Sequence, residues 1–355
     1  MDIKNIKSLL ISAKNQLNEM LCLKRTKSLK YNDIQYFELV AFLSLWNACG
    51  EEGSKIMNEI DEVPSGDALM QQLQKLSINE VEQQFNTIFE KQFSKICRKK
   101  KKAIVIIDIH EQETHSKEKR TSDDIRGGKH KNGTNFFFKF ATAQVIVNNK
   151  IMTLSVKHYR RQDELNVIVH GLVEYAKKFV KIKVLLLDRG FRDVKIFNWL
   201  EYLQVPVLMP CIKDGKTRDE FEKNISEFKV VKYCWRNPDN EFADFKLLMI
   251  KFSNGKEIGF YTTIRFTFLH SVKYYLELYK KRWNIETGYR LQKSFLPKTT
   301  CVKGVVRYFY FCYAVAMHNL WLGIRYAVKK IKLSVNAMKF IFIYFWITTH
   351  LSKEL

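Results

Sequence analysis

Apolar residues recur at mixed three- and four-residue spacing over residues 3–21, 34–48 and 68–96. That period predicts helices, and Pro64-Ser65-Gly66-Asp67 supplies a helix start before the third. Residues 1–97 are therefore expected to form a small all-α N-terminal domain, either a DNA-reading module or a packing element. Lys24, Arg25, Lys27 and Lys30 are its densest cations. It carries no helix-turn-helix signature. Five consecutive cations, 98–102, lead into Ala-Ile-Val-Ile-Ile at 103–107, a short apolar run that reads as a buried strand. Asp108 follows at the strand's end. Glu111, Glu113, Asp123 and Asp124 come next, in what reads as a polar loop. Residues 136–147 and 150–158 read as two more strands, joined by a tight turn at Asn148-Asn149.

Residues 163–180 are a helix candidate, with Leu165, Ile168, Val169, Leu172 and Ala176 on one side. Val-Leu-Leu-Leu at 184–187 is a buried strand that runs directly into a second aspartate, Asp188. Arg189-Gly190-Phe191 turns the chain into a helix at 193–203, and a strand follows at 205–209. The character then changes. Three strands are predicted at 229–235, 245–252 and 258–264, the last two joined at Asn254-Gly255, a strong hairpin signal. This is a β-rich insertion over 211–268. It divides an α/β body of mixed sheet, 98–210 and 269–330, and leaves a C-terminal tail, 331–355.

After the insertion, residues 274–295 contain no proline and read as one helix of about six turns. At 100° per residue, Tyr279, Arg282, Glu286 and Lys293 fall within roughly 60° of one another. A carboxylate flanked by two cations and a phenol is an odd face to solvate or to bury. It suits a metal ion on Glu286 and phosphates on Arg282, Lys293 and Tyr279. The plain alternative is a surface helix with scattered charge.

Composition changes this picture in three ways. A formal charge of +23, from 60 Lys and Arg against 37 Asp and Glu, is spread along the chain. It points to a polyanionic partner, nucleic acid first and an anionic membrane surface second. The seven cysteines are odd in number and form no CxxC pair, which argues against a disulfide framework or structural zinc and fits a reducing cytoplasm. The N-terminus distributes its charges and reads as no signal peptide. The apolar stretch 304–328 contains Arg307, His318, Asn319 and Arg325, and 340–347 is only eight residues long. Neither makes a membrane span, and no membrane role is expected.

In a sheet of this order the first and fourth strands lie side by side, so Asp108 and Asp188 would emerge at one edge. A later helix packing there would bring in Glu286. Three converging carboxylates repel unless cations sit between them, and hard divalent ions with oxygen ligands resolve that. Two such ions activate a water or a 3′-hydroxyl in phosphodiester cleavage or transfer.

Strand order βββαβα, with acids ending strands one and four and a third acid on a later helix, resembles the RNase H-like fold of DDE transposases. The spacing of Tyr279, Arg282, Glu286 and Lys293 resembles the Tyr-Arg-Glu-Lys signature of a large group of bacterial and archaeal insertion-sequence transposases. Asp188-Arg189-Gly190-Phe191 is similar to that group's second-acid segment, and a β insertion before the glutamate looks like that group too. The resemblance covers about residues 100–325. It implies cut-and-paste DNA transposition, in which Asp108, Asp188 and Glu286 hold two Mg²⁺ ions, with Mn²⁺ as a substitute. It implies that Tyr279, Arg282 and Lys293 fix transposon-end phosphates, and that double-stranded DNA, at the ends and the target, is the partner. A homodimer in the DNA complex and a prokaryotic, cytoplasmic, nucleoid-associated location are also implied. A hairpin intermediate with a flipped base held by an aromatic ring is common in the group; Trp235 and Trp283 are candidates, though each reads more readily as a packed core residue. A metal-dependent nuclease or resolvase that does not join, and a repurposed DNA-binding protein without catalysis, stay open at this point. The short apolar end, 340–355, departs from relatives that dimerise through C-terminal helices.

Overall fold

The computed structural model describes residues 11–12, 14–24, 30–223, 227–265, 269–327 and 333–351, without the side chains of 216, 269–270, 283–287 and 345–351. The first predicted helix lies partly outside this range. Residues 14–18 are helical, and Leu17 and Leu21 enter the core. Helix α1 (Asp33–Trp46) follows, closed at its start by a capping box between Asn32 and Gln35. Helices α2 (Gly50–Asn58), α3 (Gly66–Leu73) and α4 (Ile78–Ser94) come next. The single helix expected over 68–96 is thus two. Ser77 accepts the Glu80 N–H at 3.2 Å while the Glu80 carboxylate accepts the Ser77 N–H at 2.7 Å. That reciprocal cap starts a new helix where the apolar period alone ran on.

Among the described residues nine strands form one mixed sheet in the order β2-β3-β1-β5-β6-β9-β8-β7, with β4 on β3. They are β1 (Lys102–Glu113), β2 (Ile125–Lys131), β3 (Thr134–Val147), β4 (Lys150–His158), β5 (Lys181–Leu186), β6 (Val207–Pro210), β7 (Phe228–Arg236), β8 (Phe242–Lys251) and β9 (Glu257–Thr262). β1 pairs antiparallel with β3 and parallel with β5, so the expected first and fourth strands are neighbours. The insertion strands continue the same sheet through an antiparallel β6–β9 pairing. The turns at Asn148-Asn149 and at Gly255 take positive φ, as tight hairpins require.

Two expectations about this sheet are corrected. β1 runs past Asp108 to Glu113, because β3 pairs with it from Ile104 to Glu113. Asp108 is therefore mid-strand, and Glu111 and Glu113 belong to a strand. β2 was not foreseen, since Ile-Arg-Gly-Gly-Lys-His-Lys has no apolar alternation. It is an edge strand, folded back on β3 by Asn132-Gly133, both at positive φ.

Side chains alternate across the strands. Ile104, Ile106, Val184 and Leu186 face one apolar layer, and Val105, Ile107, Leu185 and Leu187 the other. The second layer is closed by α5 (Leu165–Phe179) and α6 (Val194–Tyr202). The first is closed by the aromatic-rich α10 (Gly304–Ala327). The N-terminal helices join that first layer directly. Phe37 and Phe85 pack on Phe309 at 6.2 and 5.2 Å, and Gln92 donates to the Ala316 carbonyl at 2.9 Å. A short helix, α7 (Gly215–Glu222), opens the insertion.

The long helix expected over 274–295 is broken. α8 (Leu269–Lys280) and α9 (Trp283–Lys293) are separated by a turn in which Lys281 and Arg282 N–H groups bond to Leu278 and Tyr279 carbonyls, three residues back. Arg282 keeps helical dihedrals, so the chain tightens there without leaving its course. The end of α9 is clasped by the N-terminal helices: Ser44 donates to the Phe295 carbonyl at 2.6 Å, and Asn47 to the Leu296 carbonyl at 3.0 Å. The tail beyond 333 forms α11 (Val335–Leu351). Among the described residues no helix is long and apolar enough to cross a membrane.

Candidate active site at the sheet edge

The parallel pairing of β1 and β5 ends at Ile106 and Leu186. Asp108 and Asp188 each lie two residues further on, Asp108 within the continuing β1 and Asp188 just past the end of β5, where two neighbouring strands part. Both keep the parity of Ile104, Ile106, Val184 and Leu186, the face covered by α10. Each is half-buried. Asp108 accepts its neighbour's N–H from Ile109 at 3.0 Å. Asp188 accepts the Arg189 N–H at 2.7 Å and starts the short 3₁₀ turn Arg189–Phe191. Two acidic side chains are thus delivered to one sheet edge by strands buried on both faces.

Tyr279 reaches the same edge from α8. Its hydroxyl donates to the carbonyl of Leu187, the residue before Asp188, at 3.5 Å, and its ring meets Phe260 at 4.9 Å. Arg282 lies with its guanidinium 5.6 Å from the Tyr279 ring centre. Burial raises the Tyr279 phenol above its ordinary value; Arg282 opposes this, while Asp188 and Asp108 add to it. For Arg282, burial works against the charge, but Tyr279, Asp188 and Asp108 together outweigh it and hold the guanidinium more firmly protonated. The two aspartates, the phenol and the arginine therefore share one electrostatic neighbourhood. Arg282 Nε is buried and finds no acceptor among the described residues.

Lys293, the last residue of α9, is exposed further along β1. Its charge reaches His110, which stands two residues beyond Asp108. Burial first, then Lys293 and Lys131, lowers His110 to about 3. Glu286 is the fourth residue of α9; its side chain, and that of Trp283, lie outside the described residues. So do Arg25 and Lys27 of the N-terminal region, whereas Lys24 and Lys30 pair with Glu80 and Glu62.

Sequence reasoning missed the layer beneath Asp108. Thr142, its register partner on β3, shares a 2.6 Å hydrogen bond with the hydroxyl of Tyr289 on α9, and both are buried. Burial, and next the charge of Asp108, raises the Tyr289 phenol well above its ordinary value, against the Thr142 bond and Arg282. His110 lies between Tyr289 and Phe311, with ring centres 5.1 and 4.9 Å away. Tyr289 pins α9 to the sheet directly opposite Asp108. Its one sequence signal was its place three residues after Glu286, on the same helical face.

The other acids near Asp108 in sequence serve the framework. Glu111 pairs with Lys139 at 2.8 Å and Glu113 with Lys131 at 3.7 Å. Asp124 accepts the Gly304 N–H at 2.9 Å, at the start of α10, and approaches His158 at 3.9 Å. Asp123 is exposed. Trp235 is a packed residue of the insertion, only 5% exposed, with Phe245 and Tyr261 ring centres 4.2 and 4.6 Å away. Among the described residues no three side chains gather into a metal cluster, so Asp108 and Asp188 stand as a pair.

The family model of the transposase DDE domain matches residues 99–320. The chain belongs to that family. It is a DNA transposase, an enzyme that cuts and joins DNA with divalent metal ions. The matched span contains both aspartates and Tyr279, Arg282, Glu286 and Lys293. Among solved structures, the chain is similar to the piggyBac transposase in its synaptic complex with hairpin DNA, at 12% identity and a TM-score of 0.58. The likeness covers 99% of this chain and 79% of that one, and it is a likeness of fold, RNase H-like as expected. No curated protein matches the sequence.

Proposed function

We propose that the chain is the cut-and-paste transposase of an insertion sequence, of the group whose signature is carried here by Tyr279, Arg282, Glu286 and Lys293. The observation that carries this reading is the meeting of Asp108 and Asp188 on adjacent parallel strands, both coupled to Arg282 and Tyr279. An all-oxygen donor set of this kind fits a hard divalent cation. Asp108, Asp188 and Glu286 would hold two Mg²⁺ ions, with Mn²⁺ able to substitute. Bound there, the ions would activate a water or 3′-hydroxyl and stabilise the leaving oxygen.

The chain's own groups do the rest. Arg282 is a permanent cation whose Nε–H lacks an acceptor among the described residues, a donor suited to a phosphate oxygen. Tyr279 ties α8 to the end of β5 and so holds Arg282 beside Asp188. Lys293 lies further out, on the β1 side. Helical spacing puts Glu286 on the side of α9 that also carries Tyr289 and Lys293, which is the side Tyr289 lays on β3. Partners on this reading are double-stranded transposon ends and target DNA. Two ends must be brought together, which calls for a homodimer in the complex and for residence on the nucleoid of a prokaryotic cell. A hairpin intermediate fits the same reading.

Mn²⁺ binding followed by electron paramagnetic resonance, in the presence of end DNA, tests the ligand set. Wild type is expected to take up about two ions per chain, and Asp108→Asn or Glu286→Gln to lose at least one. Uptake unchanged in both variants would refute the three-carboxylate assignment.

A further inference from the structure

The acids lie just past one end of the parallel β1–β5 pairing. The opposite end of that pairing is strongly basic. No Asp or Glu occurs from 91 to 107 or from 175 to 187. The fold lays these two acid-free segments side by side. Lys102 and Lys181 are Cα partners on neighbouring strands, and the Lys181 N–H donates to the Lys101 carbonyl at 2.9 Å. Residues 98–102, Lys178, Lys181 and Lys183 are all exposed, and none has a carboxylate partner among the described residues. Like charges facing one another on paired strands repel. Here the backbone pairing holds them together, so a polyanion laid across them would relieve that repulsion. Lys183 also stands 4.8 Å from the ring centre of Tyr274, itself 37% exposed, which adds a flat apolar contact at the patch margin.

From Lys102 to Asp108 is six residues of strand, about 20 Å. The two faces of the sheet between them are covered by α5 and α6 on one side and α9 and α10 on the other. A straight duplex lying across the acids cannot also lie across the patch. We infer that residues 98–102 with Lys178, Lys181 and Lys183 form a second duplex-DNA surface, which holds the phosphate backbone of a duplex other than the one being cut. The inference rests on the DNA-transposase reading and goes beyond its catalytic edge. Sequence plays no part in such a contact, because phosphate neutralisation carries no base information.

The test uses the full chain, with a short end duplex bound first at saturation and a labelled duplex of unrelated sequence added second. The variant is Lys99→Gln, Lys100→Gln, Lys101→Gln and Lys181→Gln together. A control carries Lys→Gln at Lys55, Lys223, Lys229 and Lys251, lysines that pair with carboxylates. Capture of the second duplex is measured against salt. The slope of log K on log salt is expected to flatten in the patch variant by about 0.9 for each phosphate no longer neutralised, about 3 to 4 in all. The control should keep the wild-type slope, and the patch variant should cut the short end normally. An unchanged slope and capture would overturn the inference. Loss of binding to the first duplex instead would overturn it in favour of one bent duplex. Lost binding to phosphatidylserine vesicles with DNA capture intact would overturn it in favour of a membrane surface. Should wild type fail to cut the short end, the catalytic reading has failed, and duplex capture still decides this one.

Discussion

The hydrogen bond between Tyr289 and Thr142 links α9 to the strand opposite Asp108, and its removal has a calculable effect. Tyr289→Phe deletes one hydroxyl and leaves the buried Thr142 hydroxyl without the partner it has at 2.6 Å. Orphaning a buried hydroxyl costs about 1–3 kcal/mol. Thr142→Val deletes the other half and orphans the phenol at a similar cost. In the double variant both polar groups are gone, and the second substitution should be nearly neutral. Urea unfolding of the four proteins should therefore give a coupling of about 1–2 kcal/mol rather than additive losses. The catalytic effect is separate. If Tyr289 sets how α9 approaches Asp108, loosening it displaces Glu286, and a shift of about 1 Å at a reacting centre costs up to about 100-fold in rate. Tyr289→Phe should thus cut end DNA at least about tenfold more slowly at limiting Mg²⁺, with the Mg²⁺ midpoint moved upward. A purely structural role would lower stability without moving that midpoint. Additive stabilities together with an unchanged midpoint would refute the reasoning.

Two further outcomes follow from the packing around α10. His110, His158 and His318 are buried, and burial lowers them to about 3, 4 and 3. Their folded pKa values lie below the unfolded one, so the unfolded chain takes up protons first. Their contribution is intact above about pH 6.5 and is lost as pH falls, by about 2 kcal/mol for each histidine at pH 5. Thermal melts should show a steep loss from pH 7 to 5, part of it recovered by His318→Leu, since the His318 ring nitrogens have no partner among the described residues; a flat profile would contradict this. Gly304→Ala should destabilise by about 1–2 kcal/mol although alanine is the better helix former. Its Cβ would stand 2.2 Å from the Asp124 Cγ and push that carboxylate off the first turn of α10. A raised melting temperature would show that Asp124 is no cap.

The placing of Asp108 and Asp188 at one edge was readable because its physics is local. An apolar run ending in an acid, twice, already carries the parity that puts Ile104, Ile106 and Asp108 on one face and Val184, Leu186 and Asp188 on the same one. The Asn254-Gly255 turn likewise announced the insertion hairpin. What stayed hidden depends on partners far along the chain. β1 extends past Asp108 because β3 is long enough to pair with it there. β2 exists because Asn132-Gly133 returns the chain to an already formed β3, which a run without apolar alternation does not reveal. The break at Lys281-Arg282 has no proline or glycine to mark it. It falls where Tyr279 is tethered to the Leu187 carbonyl and Lys281 to Asn149 at 3.2 Å. Thr142 and Tyr289, 147 residues apart, meet only once the sheet and α9 are in place.

Among all these outcomes, Mg²⁺-dependent cleavage of the element's own end DNA bears most directly on the central claim. Wild type would be compared with Asp108→Asn, Asp188→Asn and Glu286→Gln, substitutions that keep size and remove charge, with DNA binding measured alongside. Cleavage by wild type and none by any of the three, with binding retained, is the predicted result. Wild-type cleavage in any one of them would contradict a site built on Asp108, Asp188 and Glu286.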